Sequence, residues 1–95
     1  MKIYKTQAEI EADIVDGVLT VNEDVKFECS FSINASLKIE GDIDAGDIDA
    51  RNINALGISF WAVCFAYNSF KCKSIAGRRD NAKYFCLDKE VEISK

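Results

Sequence analysis

Histidine and proline are absent from the 95 residues, and methionine and tryptophan occur once each. Without histidine the chain lacks the commonest general acid or base, the usual partner of a serine or cysteine nucleophile, and the commonest metal ligand. Catalysis by carboxylates alone needs two acids set apart by their surroundings, and no such pair stands out. The expectation is a protein that is not an enzyme and has no cofactor and no metal. Without proline every residue can donate a backbone hydrogen bond, which suits a ladder-rich fold. No apolar run approaches the roughly 18 residues of a membrane span, and residues 1–7 lack the apolar segment of a secretory signal. A soluble, cytoplasmic protein is expected, with no membrane partner.

The five glycines, at positions 17, 41, 46, 57 and 77, are scattered and form no phosphate-binding or dinucleotide-binding fingerprint. Gly41 and Gly46 suit corners better. The four cysteines, Cys29, Cys64, Cys72 and Cys86, contain no Cys-x-x-Cys pair. A zinc site would have to gather all four from distant positions. Free thiols in apolar surroundings are expected, as the flanking Phe27, Phe31, Phe85 and Leu87 suggest.

What is present is a repeated five-residue word. It reads Ile43-Asp44-Ala45-Gly46-Asp47, Ile48-Asp49-Ala50-Arg51-Asn52, Ile53-Asn54-Ala55-Leu56-Gly57, Ile58-Ser59-Phe60-Trp61-Ala62 and Val63-Cys64-Phe65-Ala66-Tyr67. The first and third places of each word lie on one side of an extended chain, and a short fixed period means stacked coils that bury one another's apolar faces. The prediction is an all-β chain, a short β-helix or solenoid with irregular N-terminal strands over residues 1–36, regular repeats over 37–67 and a C-terminal cap over 68–95, all one domain. Ahead of the repeats, Val15 to Val21 reads as two short strands about the Asp16-Gly17 turn, favoured over a helix near Ala8 to Ile14. Phe27, Cys29, Phe31, Ile33 and Ala35 alternate along one half-buried strand, and Ser36 is read as a one-residue slip. After Tyr67 the rule decays, since Asn68 and Lys73 stand where apolar residues are due. A loop or short helical turn about Gly77 then leads to a closing strand from Lys83.

These words resemble the pentapeptide-repeat proteins, whose pattern is a small residue, then Asp or Asn, then a large apolar residue, then two free positions. The second place matches in Asp44, Asp49 and Asn54, while the large and small inward places are exchanged. The resemblance implies a right-handed solenoid with four words, about twenty residues, to each coil. Ile43 would then stack under Val63, Ala45 under Phe65, and Phe65 under Phe85.

Charge is lopsided. Residues 1–60 hold twelve acids and five bases, and residues 61–95 hold four acids and seven bases, within a total of −4. Glu40, Asp42, Asp44, Asp47 and Asp49 form the densest acidic stretch, and Lys71, Lys73, Arg78, Arg79 and Lys83 the densest basic one. Such acids can be plain outward turn formers. They can also copy the phosphate rows of a duplex and fill the basic groove of a nucleic-acid-binding protein. The pentapeptide-repeat resemblance implies this second use, because that family includes duplex mimics. Trp61 and Tyr67 fall outside the inward places, where aromatic residues anchor interfaces. The acidic total argues against direct nucleic-acid binding through Arg78 and Arg79.

Size, a lone domain and missing catalytic apparatus are similar in kind to the small inhibitors of phages and mobile elements. The expectation is an anti-CRISPR or other anti-defence protein whose acidic face blocks a nucleic-acid-binding host effector. The rival reading is a self-assembling structural module, and open coil edges allow a homodimer.

Overall fold

In the computed structural model, which describes residues 1–93, the chain winds as a three-sided β-solenoid of about four turns. Among the described residues twelve strands and one helix follow one another: β1 (Lys2–Tyr4), α1 (Gln7–Ala12), β2 (Val18–Val21), β3 (Val25–Phe27), β4 (Phe31–Ser32), β5 (Ser36–Ile39), β6 (Ile43–Asp44), β7 (Ile48–Asn54), β8 (Gly57–Phe60), β9 (Val63–Cys72), β10 (Ser74–Gly77), β11 (Lys83–Cys86) and β12 (Glu92–Ile93). All the strand pairs are parallel. The first side stacks β1, β3, β6, β8 and β10. The second stacks β4, the first half of β7, the first half of β9, and β11. The third stacks β2, β5, the second halves of β7 and β9, and β12.

Three sides of five residues make a fifteen-residue coil, so Ile43 pairs with Ile58, and the twenty-residue coil expected from the resemblance is corrected. Spacings elsewhere run to 16, 17 and 18, as in Ser36 with Asn52, Phe31 with Ile48, and Val25 with Ile43. Phe65 does meet Phe85, because the last coil is lengthened by the turn that follows β10.

The first and third places of the words face the core as read: Ile43, Ala45, Ile48, Ala50, Ile53, Ala55, Ile58 and Phe60 are all buried. Columns of like residues result, with Leu37, Ile53 and Phe70 in register on the third side and Phe31, Ile48 and Cys64 on the second. The fifth word turns over. Val63 is exposed and Phe65 half-buried, while Cys64 and Ala66 point inward. The cause is at the corner, where Val63 N–H is held by the Asp47 side chain and the chain gains a residue, so Cys64 takes the place above Ile48. A second extra residue, a bulge at Tyr67-Asn68 opposite Arg51, restores Phe70 to the core.

Before the repeats the sequence reading needs three corrections. Thr6 and Glu9 form a reciprocal capping box that starts α1, whose Ile10 is wholly buried, so a helix stands where strand was favoured. The helix occupies the second side of the first coil, and Gln7 Oε1 accepts from Ser32 N–H on β4. The Asp16-Gly17 turn exists, with both residues at positive φ and Val15 and Val18 bridged across it. The stretch from 26 to 35 is two sides of a coil, β3 and β4, in place of one strand. No slip occurs at Ser36, since burial alternates without a break through Ala35, Leu37 and Ile39. The expected loop or helical turn about Gly77 is also corrected: Gly77 ends strand β10, and a turn without helix follows it near Asp80.

Candidate functional site: a charged ridge and an apolar face

Three corners join the sides, and each is stitched by a polar ladder. At the corner between the third and first sides, Asp24 Oδ1 accepts Asp42 N–H at 2.8 Å, and Asp42 Oδ1 accepts Gly57 N–H at 2.9 Å. Between the first and second sides, Ser30 Oγ accepts Asp47 N–H at 2.9 Å, and Asp47 Oδ1 accepts the N–H groups of Ala62 and Val63 at 2.9 and 3.1 Å. Between the two halves of β7 and β9, the Asn52 side chain donates to Ser36 Oγ at 2.8 Å and accepts from Ser69 Oγ at 2.7 Å. The rungs need these bonds, because a tight corner interrupts the sheet ladder and exposes N–H groups that the sheet no longer pairs. Gly46 serves the second of them: a Cβ there would lie 2.6 Å from Ser30 Oγ.

The five acids of the dense run do not share one face. Glu40 and Asp42 lie at the third-to-first corner, Asp44 points out from the first side, Asp47 is built into the next corner, and Asp49 points out from the second side, where it accepts from Ser32 Oγ at 3.3 Å. Arg78, returning from the last coil, pairs with Asp44 and donates to Ala45 O. Thus Asp42 and Asp47 have a framework role and Asp44 has an internal partner. What the coil assembles instead is a ridge that the linear reading missed. Asp42 stands above Asp24, and Glu40, whose N–H donates to Val21 O, stands on the rung above Glu23. Glu23, Asp24, Glu40 and Asp42 therefore occupy two adjacent rungs. The Met1 amino group pairs with Glu23 at 2.8 Å, and this contact holds the amino group's pKa above its usual value. The signal in the sequence was the recurrence of Asp24-Val25 as Asp42-Ile43.

The basic residues gather in the last coils but fan out around them. Lys71 lies on the third side, 3.7 Å from Glu92; Lys73 follows it at the corner; Arg78 and Arg79 end the first side; and Lys83 opens β11 on the second. The acidic ridge thus continues upward through exposed Leu56 into Lys73.

Trp61, 49% exposed, stands at the first-to-second corner beside an open cleft of about 450 Å³ lined also by Lys26, Glu28, Asp44 and Arg78. Tyr67, 41% exposed, borders a larger groove of about 630 Å³ with Glu11, Asp49 and Arg51. Between these two aromatics, the outer surface of the second side carries Val63, Phe65, Phe85 and Leu87. Phe65 packs against Tyr67 and against Phe85, with ring centroids 4.6 Å apart in each pair.

Among the described residues no three of cysteine, aspartate and glutamate converge to hold a metal ion. All four thiols are free, and burial raises the pKa of Cys64, Cys72 and Cys29. A raised pKa keeps a thiol protonated and a poor nucleophile. Among the described residues no helix is long and apolar enough to cross a membrane. Comparison with protein-family models, curated proteins and solved structures returns no match.

Proposed function

We propose that the chain is a non-enzymatic, stoichiometric binder of another protein, and that its acidic ridge occupies the basic groove of a nucleic-acid-binding effector. In kind this is the work of a small phage or mobile-element inhibitor, such as an anti-CRISPR or other anti-defence protein. One observation carries the reading. Parallel rungs lie about 4.8 Å apart, and Asp24, Glu40 and Asp42 set three carboxylates on two adjacent rungs, with Glu23 paired to the Met1 amino group beside them, a spacing of the same order as the one charge per about 1.7 Å of a duplex. The row is rigid because Asp24 and Asp42 each spend one oxygen on the next rung's backbone. Rigidity matters for mimicry, since a groove shaped for fixed phosphates gains most from charges already in place.

The test must spare the ladder. Reversing Asp42 and Asp47, as the linear run would invite, removes backbone acceptors and unfolds corners. Glu40→Lys changes the ridge alone, at a residue that accepts no backbone bond from a neighbouring rung, and Glu23→Lys added to it also gives up the ion pair with the Met1 amino group, so the single and the double reversal are compared. Expected is the loss of capture of basic, nucleic-acid-binding proteins from a bacterial lysate, with an unchanged far-ultraviolet spectrum, and displacement of the wild-type catch by added duplex DNA. Capture that survives both the double reversal and the DNA would refute the proposal.

A further inference from the structure

We propose that the groove on the second side, where Glu11, Asn34, Asp49, Arg51, Tyr67 and Asn68 come together, binds a neutral linear oligosaccharide of flat, β-1,4-linked pyranoses laid along the solenoid axis. The groove has a volume of about 630 Å³, within the range of small-molecule sites. It draws on four successive coils: Glu11 comes from α1, Asn34 follows β4, Asp49 and Arg51 belong to β7, and Tyr67 and Asn68 to β9. Backbone bonds fix this order. Ile33 N–H donates to Asp49 O and Arg51 N–H to Ala35 O, so Asn34 lies beside Arg51 of the adjacent rung. Arg51 in turn faces the extra residue in β9, where Tyr67 and Asn68 are both exposed. A bulge re-aims side chains, and this one presents two of them to the groove at a single rung. Phe65 meets the Tyr67 ring edge to face, with centroids 4.6 Å apart, and sets its tilt before any ligand arrives.

The polar groups of the groove have few partners within the chain. Among the described residues Arg51 enters no ion pair, although Glu11 and Asp49 share its groove, and Asp49 accepts a single 3.3 Å bond from Ser32 Oγ. Their chemistry selects the ligand. A sugar hydroxyl both donates and accepts, and here carboxylates accept, the guanidinium donates, and the amides of Asn34 and Asn68 do both. Hydrogen bonds from neutral hydroxyls to ionised groups are the stronger kind. The Tyr67 ring supplies an apolar surface for the C–H face that equatorial hydroxyls leave bare. An anionic ligand would meet Glu11 and Asp49, and a cationic one Arg51, so a neutral chain fits best. Spacing then decides between polymers. Rungs recur about every 4.8 Å, near the length of one pyranose in an extended β-1,4 chain, whereas same-facing residues of an extended peptide recur about every 6.6 Å. A docked helix would need a stripe of apolar anchors, and Tyr67 is one ring in a polar groove. The site stands apart from the acidic ridge, which follows the corner between the third and first sides.

Titration of nitrogen-15-labelled protein with cellohexaose and with chitohexaose, followed by amide chemical shifts, tests the proposal. Expected are saturable shifts centred on Asn34, Arg51, Tyr67 and Asn68 with one hexaose or both. Affinity should rise about tenfold or more from the disaccharide to the tetrasaccharide and level off beyond it, because four coils supply four rungs. Maltohexaose, whose chain curves, should bind more weakly than the flat hexaoses. Tyr67→Ala and Arg51→Ala should each weaken binding about tenfold with the far-ultraviolet spectrum retained, since both side chains are exposed, while Tyr67→Phe keeps the ring and the affinity. Glu40→Lys should leave saccharide binding unchanged, so the groove and the acidic ridge stand or fall separately. No saturation by either flat hexaose at millimolar concentration, shifts centred elsewhere, affinity indifferent to chain length, preference for maltohexaose, or binding indifferent to both alanine changes overturns it.

Discussion

Replacing Asp47 by alanine separates the framework role of the acids from any binding role. Its Oδ1 accepts two backbone N–H groups of the next coil, and the residue is half-buried at a corner where the chain turns from β8 into β9. A hydrogen bond to a charged acceptor contributes about 1.5–3 kcal/mol, and an abandoned buried donor costs about 1–3 kcal/mol. Val63 N–H lies where water can reach it, so the sum is discounted to about 2 kcal/mol. Total stability for a domain of this length is on the order of 5–14 kcal/mol, and a loss of 2 lowers the melting temperature by about 8–16 °C. Urea unfolding followed by circular dichroism reads the effect as a lower midpoint at constant slope. Asp47→Asn, which keeps an acceptor oxygen without the charge, should recover more than half of the loss. Asp49→Ala is the control, because its one bond is a 3.3 Å contact with an exposed serine, and about 0.5 kcal/mol is expected. Equal costs at 47 and 49 would refute the ladder argument.

Three further outcomes follow from the core, the thiols and one buried phenol. Ile53→Ala empties a fully buried place between Leu37 and Phe70 and should cost about 2–5 kcal/mol, read by the same urea midpoint; a loss below 1 kcal/mol would deny that these columns form the core. At pH 8 a disulfide-exchange reagent should label Cys86 first, leaving Cys64 and Cys72, both buried with raised pKa values, unlabelled until denaturant is added; labelling of Cys64 at the rate of a free thiol would contradict the packing. Buried Tyr4 donates to Asp13 Oδ2 at 2.8 Å, and burial first, then this bond, raises the phenol's pKa, while the bond lowers that of Asp13. The folded state therefore holds the phenolic proton more tightly, so stability is complete below pH 10 and falls above it; Asp13 contributes above pH 3.8 and loses its contribution as pH falls further. Tyr4→Phe should flatten both limbs in a pH series of urea midpoints, and unchanged limbs would remove the pair from the account.

The solenoid was legible because isoleucine recurs at the first place of four of the five words, and a β-branched residue facing a shared core admits few alternatives. The number of sides was not legible, because side length and corner angle trade against each other: five-residue words close as three sides or four, and only the stacking of Ile43 on Ile58 decides. The reversal at Val63 is not legible in the sequence for a related reason. Cys64 and Ala66 are as acceptable inside as Val63 and Phe65, so hydrophobicity alone leaves the phase of that word undetermined, and the Asp47 carboxylate settles it from another coil. The helix was readable in principle from Thr6 and Glu9, whose spacing is that of a capping box. The valines that follow pull the reading towards strand.

A run of acids in a linear sequence and a run of acids along a solenoid are different objects. Residues five apart turn to successive sides, so Asp44 and Asp49 face apart, and the chain direction that concentrates charge on paper disperses it in space. Residues one coil apart share a ridge, so Asp24 and Asp42 lie together although seventeen residues intervene. The corner then imposes a second sorting. A carboxylate that accepts the next rung's N–H is fixed in position, and a neighbour without such a bond, such as Glu40, is the one a partner can draw on without disturbing the coil. Substituting the unbonded acid therefore isolates binding from folding, while substituting the bonded acid measures the corner.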